Sequence, residues 1–259
     1  MSIQNQSSWK IKQLFLSHLI AAGLVSTIFL TSLYTLLWQS IDESCFKFLN
    51  QAISQSAFWQ NFWALANHRM GDLLEDVFFI LFLIWLIKTT PPGQKLQKFA
   101  EFLFVALLTT AVVLFINNLL FKQIVHIKRY SPSLIFDSLP RLADQVSWIK
   151  VKWGSKASFP SDHATTAVMF VVDFLLLSKR RSLLITVCLY GAFLCCPRMV
   201  AGAHWLTDIL CGSIAVVLII FSWALYTPFA AFCIKKIHKS LLLISSFIKN
   251  YKRQKQGTI

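Results

Sequence analysis

Three groups of polar residues sit beside otherwise apolar runs. They are Lys122 with Arg129, then Pro160, Ser161, Asp162 and His163, then Arg198, His204 and Asp208. Two histidines, a serine, an aspartate and several cations are the residue types of phosphoryl transfer, which needs positive charge spread over phosphate oxygens and a positioned attacking group. A neutral imidazole can attack phosphorus and carry the group as a covalent intermediate. Asp208 follows His204 by four residues, so on a helix the two share a face and the carboxylate can fix the imidazole tautomer. The second histidine can then act as a general acid. Pro160 and Ser161 before His163 are a helix start signal, and the free amides of a first turn attract phosphate. Taken singly, each histidine also suits a structural place; jointly they point to chemistry. No cluster of Asp and Glu suggests a metal, and no cofactor is expected.

Such residues must be held by something, and composition says what. Of 259 residues, 56% are apolar and 14% charged, against roughly 45–50% and 25% in soluble domains. A net charge of +14 in so apolar a chain argues against a disordered tail, a nucleic-acid binder or a soluble enzyme. The expected fold is all-α, a polytopic membrane bundle of six transmembrane helices in one domain over 1–259. The spans are placed at about 14–38, 73–90, 102–121, 161–177, 182–201 and 207–232, followed by a basic tail over 233–259. The first, third and sixth runs are uncharged over the roughly 20 residues that cross hydrocarbon. The other three carry charges, which near span ends can snorkel; buried core helices are the alternative for these. The first run is too long for a signal-peptide core and is read as retained.

Lysine and arginine in the short connections set orientation. Fifteen of the 25 lie before span one, between spans two and three, between four and five, and after span six. With six spans all four groups share one face, which places both termini in the cytoplasm and the three polar groups on the outer side. The outer connection from Lys122 to Pro160 breaks the charge rule, with seven cations (Lys122, Lys128, Arg129, Arg141, Lys150, Lys152 and Lys156) against Asp137 and Asp144. It is expected to hold something anionic, or to attract lipid head groups. Between Cys45 and Met70, apolar residues spaced among polar ones predict an amphipathic helix in the outer interface. The tail should lie along the inner leaflet. The six cysteines fit no metal spacing and read as packed thiols.

In order and spacing, the three groups resemble the type 2 phosphatidic acid phosphatase (PAP2) superfamily, whose pattern is KxxxxxxRP, PSGH, then SRxxxxxHxxxD. The resemblance implies a nucleophile at His204 with Asp208 as its partner. It implies a proton donor at His163 and a phosphate cradle of Lys122, Arg129, Ser161 and Arg198, working without a metal. Three positions depart from the pattern: Tyr130 stands for proline, Asp162 for glycine and Pro197 for serine. The adjacent Lys128 is therefore a second candidate for the first cation's role. Asp162 looks like a variant also found in undecaprenyl-diphosphate phosphatases.

Wording outside the core pattern is similar to the lipid A 1-diphosphate synthases of Gram-negative inner membranes. It includes Lys128 to Leu134, Pro197-Arg198, Gly202 to Asp208 and Trp63 to Asn67, within a likeness from about Phe48 to Pro228. That group moves a phosphate from undecaprenyl diphosphate to the 1-phosphate of Kdo-lipid A at the periplasmic face. The substrates implied are therefore two lipids, undecaprenyl diphosphate and lipid A, in a bacterial inner membrane. Water as acceptor, giving an undecaprenyl-diphosphate or lipid A phosphatase, requires the same residue types. A lipid transporter is the non-enzyme reading, but the broken half-helices typical of transporters are not evident.

Overall fold

The computed structural model describes residues 8–256, and they are helical with no strand among them. The outermost termini assigned to the cytoplasm, 1–7 and 257–259, lie outside the described residues. The first apolar run forms α1 (Ile11–Phe29) and α2 (Thr31–Leu37), broken where Leu30 turns extended. Next come α3 (Gln39–Gln55), α4 (Ala57–Ala66), α5 (Arg69–Thr89) and α6 (Lys95–Ala111), the last continued by a π-helical stretch over Val112–Ile124. After the long connection and a short α7 (Leu142–Gln145) follow α8 (Asp162–Leu177), α9 (Arg181–Val200), α10 (Ile214–Tyr226) and α11 (Phe229–Gln256). A π-helical turn over Asp208–Ser213 leads into α10.

Each apolar run of the sequence is thus helical. Among the described residues, four helical segments are long and apolar enough to cross a membrane: Ile11–Phe29, Pro92–Ile124, Arg181–Val200 and Asp208–Tyr226. The other two differ for physical reasons: α5 carries Asp72, Glu75, Asp76 and Lys88, and α8 has 16 residues. The sixth helix ends at Tyr226, six residues before the expected 232, because Thr227 is extended ahead of Pro228. The residues beyond form a separate helix whose Ala230 and Ile234 are buried in the core.

The amphipathic segment after the first run is two helices. Ser56 interrupts it in an extended conformation and caps α4, its hydroxyl accepting from the Trp59 amide at 3.4 Å. Asp42, Phe46, Asn50 and Ile53 are the buried residues of α3. Their spacing of three and four residues places them on one stripe, and this stripe carries a carboxylate toward the interior.

The core is built where α6, α8, α10 and α11 meet, around Phe104, Met169, Val217 and Phe221. A second cluster, around Phe82, Phe174 and Val187, joins α5, α8 and α9. These contacts bring the starts of α5, α8 and α10 and the end of α9 to one end of the bundle.

Candidate active site

Three chain turns deliver the reactive groups. Gly202 closes α9 with φ +73°, a conformation that suits glycine. Its amide donates to the Met199 carbonyl at 3.0 Å and the next amide, of Ala203, donates to Arg198 at 2.9 Å, which is the paired cap of a Schellman ending. A Cβ at 202 would also lie 2.9 Å from both Phe46 and Ser133. The tight stop lets His204 and Asp208 follow Arg198 within a few residues. His204 is buried, and its Nδ1 lies 3.5 Å from Oδ2 of the fully buried Asp208. That distance is at the outer limit of a hydrogen bond, and Nδ1 has no closer partner among the described residues.

Asp208 is itself held firmly. Oδ2 accepts from the Trp205 amide at 2.9 Å, and Oδ1 is ion-paired with Nη1 of Arg129. The other Arg129 nitrogen, Nη2, reaches Asp42 at 3.0 Å and the Thr207 hydroxyl at 2.7 Å. Asp42 also accepts from the Thr207 amide at 3.0 Å and the Tyr34 hydroxyl at 3.1 Å. Arg129 therefore lies between two buried carboxylates. Burial pulls its pKa down, but Asp208 and Asp42 outweigh burial and hold it above the ordinary arginine value. The guanidinium also lies 5.5 Å from the Tyr34 ring centre and 5.8 Å from that of Trp205. Its loop is pinned to the chain before α8, where the Ser158 amide donates to the Arg129 carbonyl at 2.9 Å.

The second turn opens α8. Ser161, buried, accepts from the Ala164 amide at 3.4 Å as the helix cap, and its carbonyl receives the Ser213 hydroxyl at 3.0 Å. The latter bond fastens the start of α8 to the turn that bears Asp208. His163, two residues on, takes a 2.7 Å hydrogen bond at Nε2 from Nη2 of Arg198. Nη1 of Arg198 donates to Asn67 at 2.6 Å. Asn67 also donates to the Pro197 carbonyl at 3.1 Å and accepts from the Lys152 amide at 3.1 Å.

The third turn ends the π-helical stretch after α6. Lys122 is ion-paired with Asp162 and donates to Asn118 at 3.2 Å. Lys128 is exposed and makes no ion pair among the described residues.

Of the residues singled out in the sequence, His163 and Arg198 meet directly, as do His204, Asp208 and Arg129. His163 is within electrostatic reach of His204, Arg198 and Lys152, which ties the two groups into one site. Lys122 joins through Asp162, next to His163. Sequence reasoning missed Asp42, Asn67, Asp72 and Thr207, and it named Lys152 only as one of the seven cations of the outer connection. Asn67 had a signal, since it closes the Trp63 to Asn67 wording of the resemblance. Asp42 had a weaker one, as the first charge after a long uncharged run.

Asp72, Glu75 and His163 offer ligand atoms within 4.8 Å of one another, a grouping able to hold a metal ion. Yet Arg198 Nη2 lies 3.7 Å from Asp72 and 2.7 Å from His163. A divalent ion there would have to share the space with a guanidinium, which Coulomb repulsion opposes. The arrangement offers an imidazole facing a carboxylate at His204 and Asp208, and a second imidazole at His163 hydrogen-bonded by the Arg198 guanidinium.

Residues 102–244, from α6 into α11, match the model of the PAP2 superfamily. The chain is also 32% identical over 206 residues to the lipid A 1-diphosphate synthase of Escherichia coli (strain K12), across 79% of this chain and 83% of that protein. No solved structure matches it significantly. With the matched region covering more than half of the chain and containing the whole His163, Arg198, His204 and Asp208 group, the protein belongs to the PAP2 superfamily.

Proposed function

We propose that the protein transfers a phosphate group from undecaprenyl diphosphate to the 1-phosphate of lipid A through a phosphohistidine. The observation that carries this reading is the pairing of His204 with Asp208. Because Nδ1 faces the carboxylate, Nε2 is the nitrogen left to attack. Nε2 forms a bond to the terminal phosphorus, the bond to the bridging oxygen breaks, and undecaprenyl phosphate leaves with a proton from His163. An oxygen of the lipid A phosphate then attacks the phosphohistidine, and the N–P bond breaks to give lipid A 1-diphosphate and free His204. Asp208 steadies the charged imidazole, and Arg198, Ser161 and Lys122 hold the phosphoryl oxygens. Arg129, locked between Asp208 and Asp42, contributes chiefly by fixing the carboxylate.

The reaction belongs at the periplasmic face of a bacterial inner membrane. The bundle crosses it six times, α5 and α8 included, with both termini in the cytoplasm and α3 and α4 in the outer interface. Exposed Phe48, Phe58 and Trp59 suit α3 and α4 to that layer. The likeness to lipid A 1-diphosphate synthase supports the acceptor, while the same dyad would serve hydrolysis. Purified protein given donor labelled in its terminal phosphate, with lipid A present, decides between them. Label on lipid A is expected; label found only as free phosphate would contradict transfer.

A further inference from the structure

A cavity of about 610 Å³ opens beside Arg198, and Asp72 on its wall lies 3.9 Å from Nδ1 of His163. Its walls include Asn67, His68, Arg69, Lys150, Lys152 and Arg198. Arg69, Lys150 and Lys152 make no ion pair among the described residues. One carboxylate lines it, Asp72, and this is already turned to Arg198 at 3.7 Å and to His163 Nδ1 at 3.9 Å. The lysines reach the cavity for a local reason. Ile149 and Val151 pack on the cluster around Ile53 and Leu142, and the Lys152 amide is tied to Asn67, so this segment is anchored and its cations line the opening.

Beside the cavity is an apolar groove of about 290 Å³ whose walls include Phe62, Leu65, Met70, Leu74, Phe78 and Phe193. The two are contiguous along the chain. Ala66 lines the groove, Asn67 to Arg69 the cavity, Met70 and Gly71 the groove and Asp72 the cavity; likewise Pro197 lines the groove and Arg198 the cavity. A cationic chamber abutting an apolar groove suits a lipid whose phosphate and chain are adjacent.

We infer that this cavity is a second phosphate site, which receives the lipid monophosphate that leaves the donor and then the one that accepts the transferred group. The inference rests on the phosphohistidine reading. In that reading the leaving group, protonated from His163, departs on the His163 side of the reacting phosphorus. The leaving group of a diphosphate lipid is a monophosphate, an anion that needs cations, and its chain fits the adjoining groove. The second half reaction runs the same step in reverse with another lipid phosphate, so the incoming oxygen takes the place the leaving oxygen held. One cavity therefore serves both lipids in turn, and its cations favour a phosphate over water as acceptor.

The test compares farnesyl diphosphate with farnesyl monophosphate in detergent, using Lys150→Ala combined with Arg69→Ala, and separately Lys152→Ala. As a reacting substrate, only the diphosphate has a phosphate in the second site, whereas the monophosphate occupies that site only when bound unreacted, as the leaving group would be. Its kcat/KM should fall about tenfold or more per lost charge contact, while that of the monophosphate falls less than about threefold. Equal losses for the two substrates, or none for either, would overturn the inference. If the alanine variants do not fold, amine-reactive footprinting of the unaltered protein gives the same reading. Farnesyl phosphate should protect Lys150 and Lys152, and full reactivity in its presence would count against the site. Transfer to lipid A fails separately, on where the labelled phosphate ends, and the substrate ratio stands even for an enzyme that hydrolyses its donor.

Discussion

Arg198 donates from Nη2 to Nε2 of His163 across 2.7 Å. A guanidinium has no acceptor, so the nitrogen it meets is unprotonated and His163 carries its proton on Nδ1. A phosphate that draws Arg198 to itself frees Nε2 to take up and donate the proton. The two residues then act as a unit, and single losses should not add. His163→Asn and Arg198→Ala are each expected to lower kcat by about 10²- to 10⁴-fold. The double variant should be little worse than the poorer single one. Effects that multiply in full would show independent roles.

Lys122 is paired with Asp162, the residue that stands where the superfamily pattern has glycine. The carboxylate offsets a cation that is otherwise free to meet phosphate. Asp162→Gly should release it and tighten inhibition by vanadate, a phosphate mimic, by roughly threefold to tenfold, in line with one charge-assisted contact. Lys122→Met should cancel that gain when added to Asp162→Gly. An Asp162→Gly enzyme with unchanged vanadate inhibition would mean that Lys122 does not face the phosphate.

Asp42 is fully buried and holds Arg129, Thr207 and Tyr34 together. Removing one partner of such a buried pair leaves an uncompensated charge, at a cost on the order of 3 kcal/mol. Asp42→Ala should lower the melting temperature by several degrees and reduce kcat, because Arg129 then orients Asp208 less well. Melting at the unaltered temperature would show that Asp208 alone suffices to hold Arg129.

Burial, with Lys122 and Arg198 nearby, holds the Lys152 ammonium below the ordinary lysine pKa. An anion binds the charged form and raises that value. Affinity for farnesyl phosphate as an inhibitor is therefore greatest below the depressed pKa and falls as pH rises through it, by at most about tenfold per unit. Lys152→Arg, charged throughout, should flatten this alkaline limb. An identical limb in the variant would assign the titration to another group.

The sequence made the helices and the placement of the motif residues legible because apolar runs and a helix-turn spacing are local properties. His204 with Asp208, and Ser161 as a helix cap, are one-turn relations readable from residue numbers. Asp42 was not, and Lys152 read only as one of seven outer cations, because their partners lie 87 and 30 or more positions away, at Arg129 and at Lys122, Arg198 and Asp72; only the packed bundle brings them close. Arg129 read as part of the phosphate cradle, whereas both its terminal nitrogens are engaged by carboxylates and Thr207. The break at Ser56 went unseen since apolar spacing continues on both sides of it.

The central claim is that His204 carries the phosphate. Rapid quenching at alkaline pH of enzyme mixed with donor labelled in its terminal phosphate, followed by peptide mass spectrometry, tests it directly. An acid-labile phosphate on His204 is expected, absent from His204→Ala and lost when lipid A is added before quenching. Label retained by His204→Ala, or turnover with no phosphoenzyme in Asp208→Ala and unaltered protein alike, would contradict it.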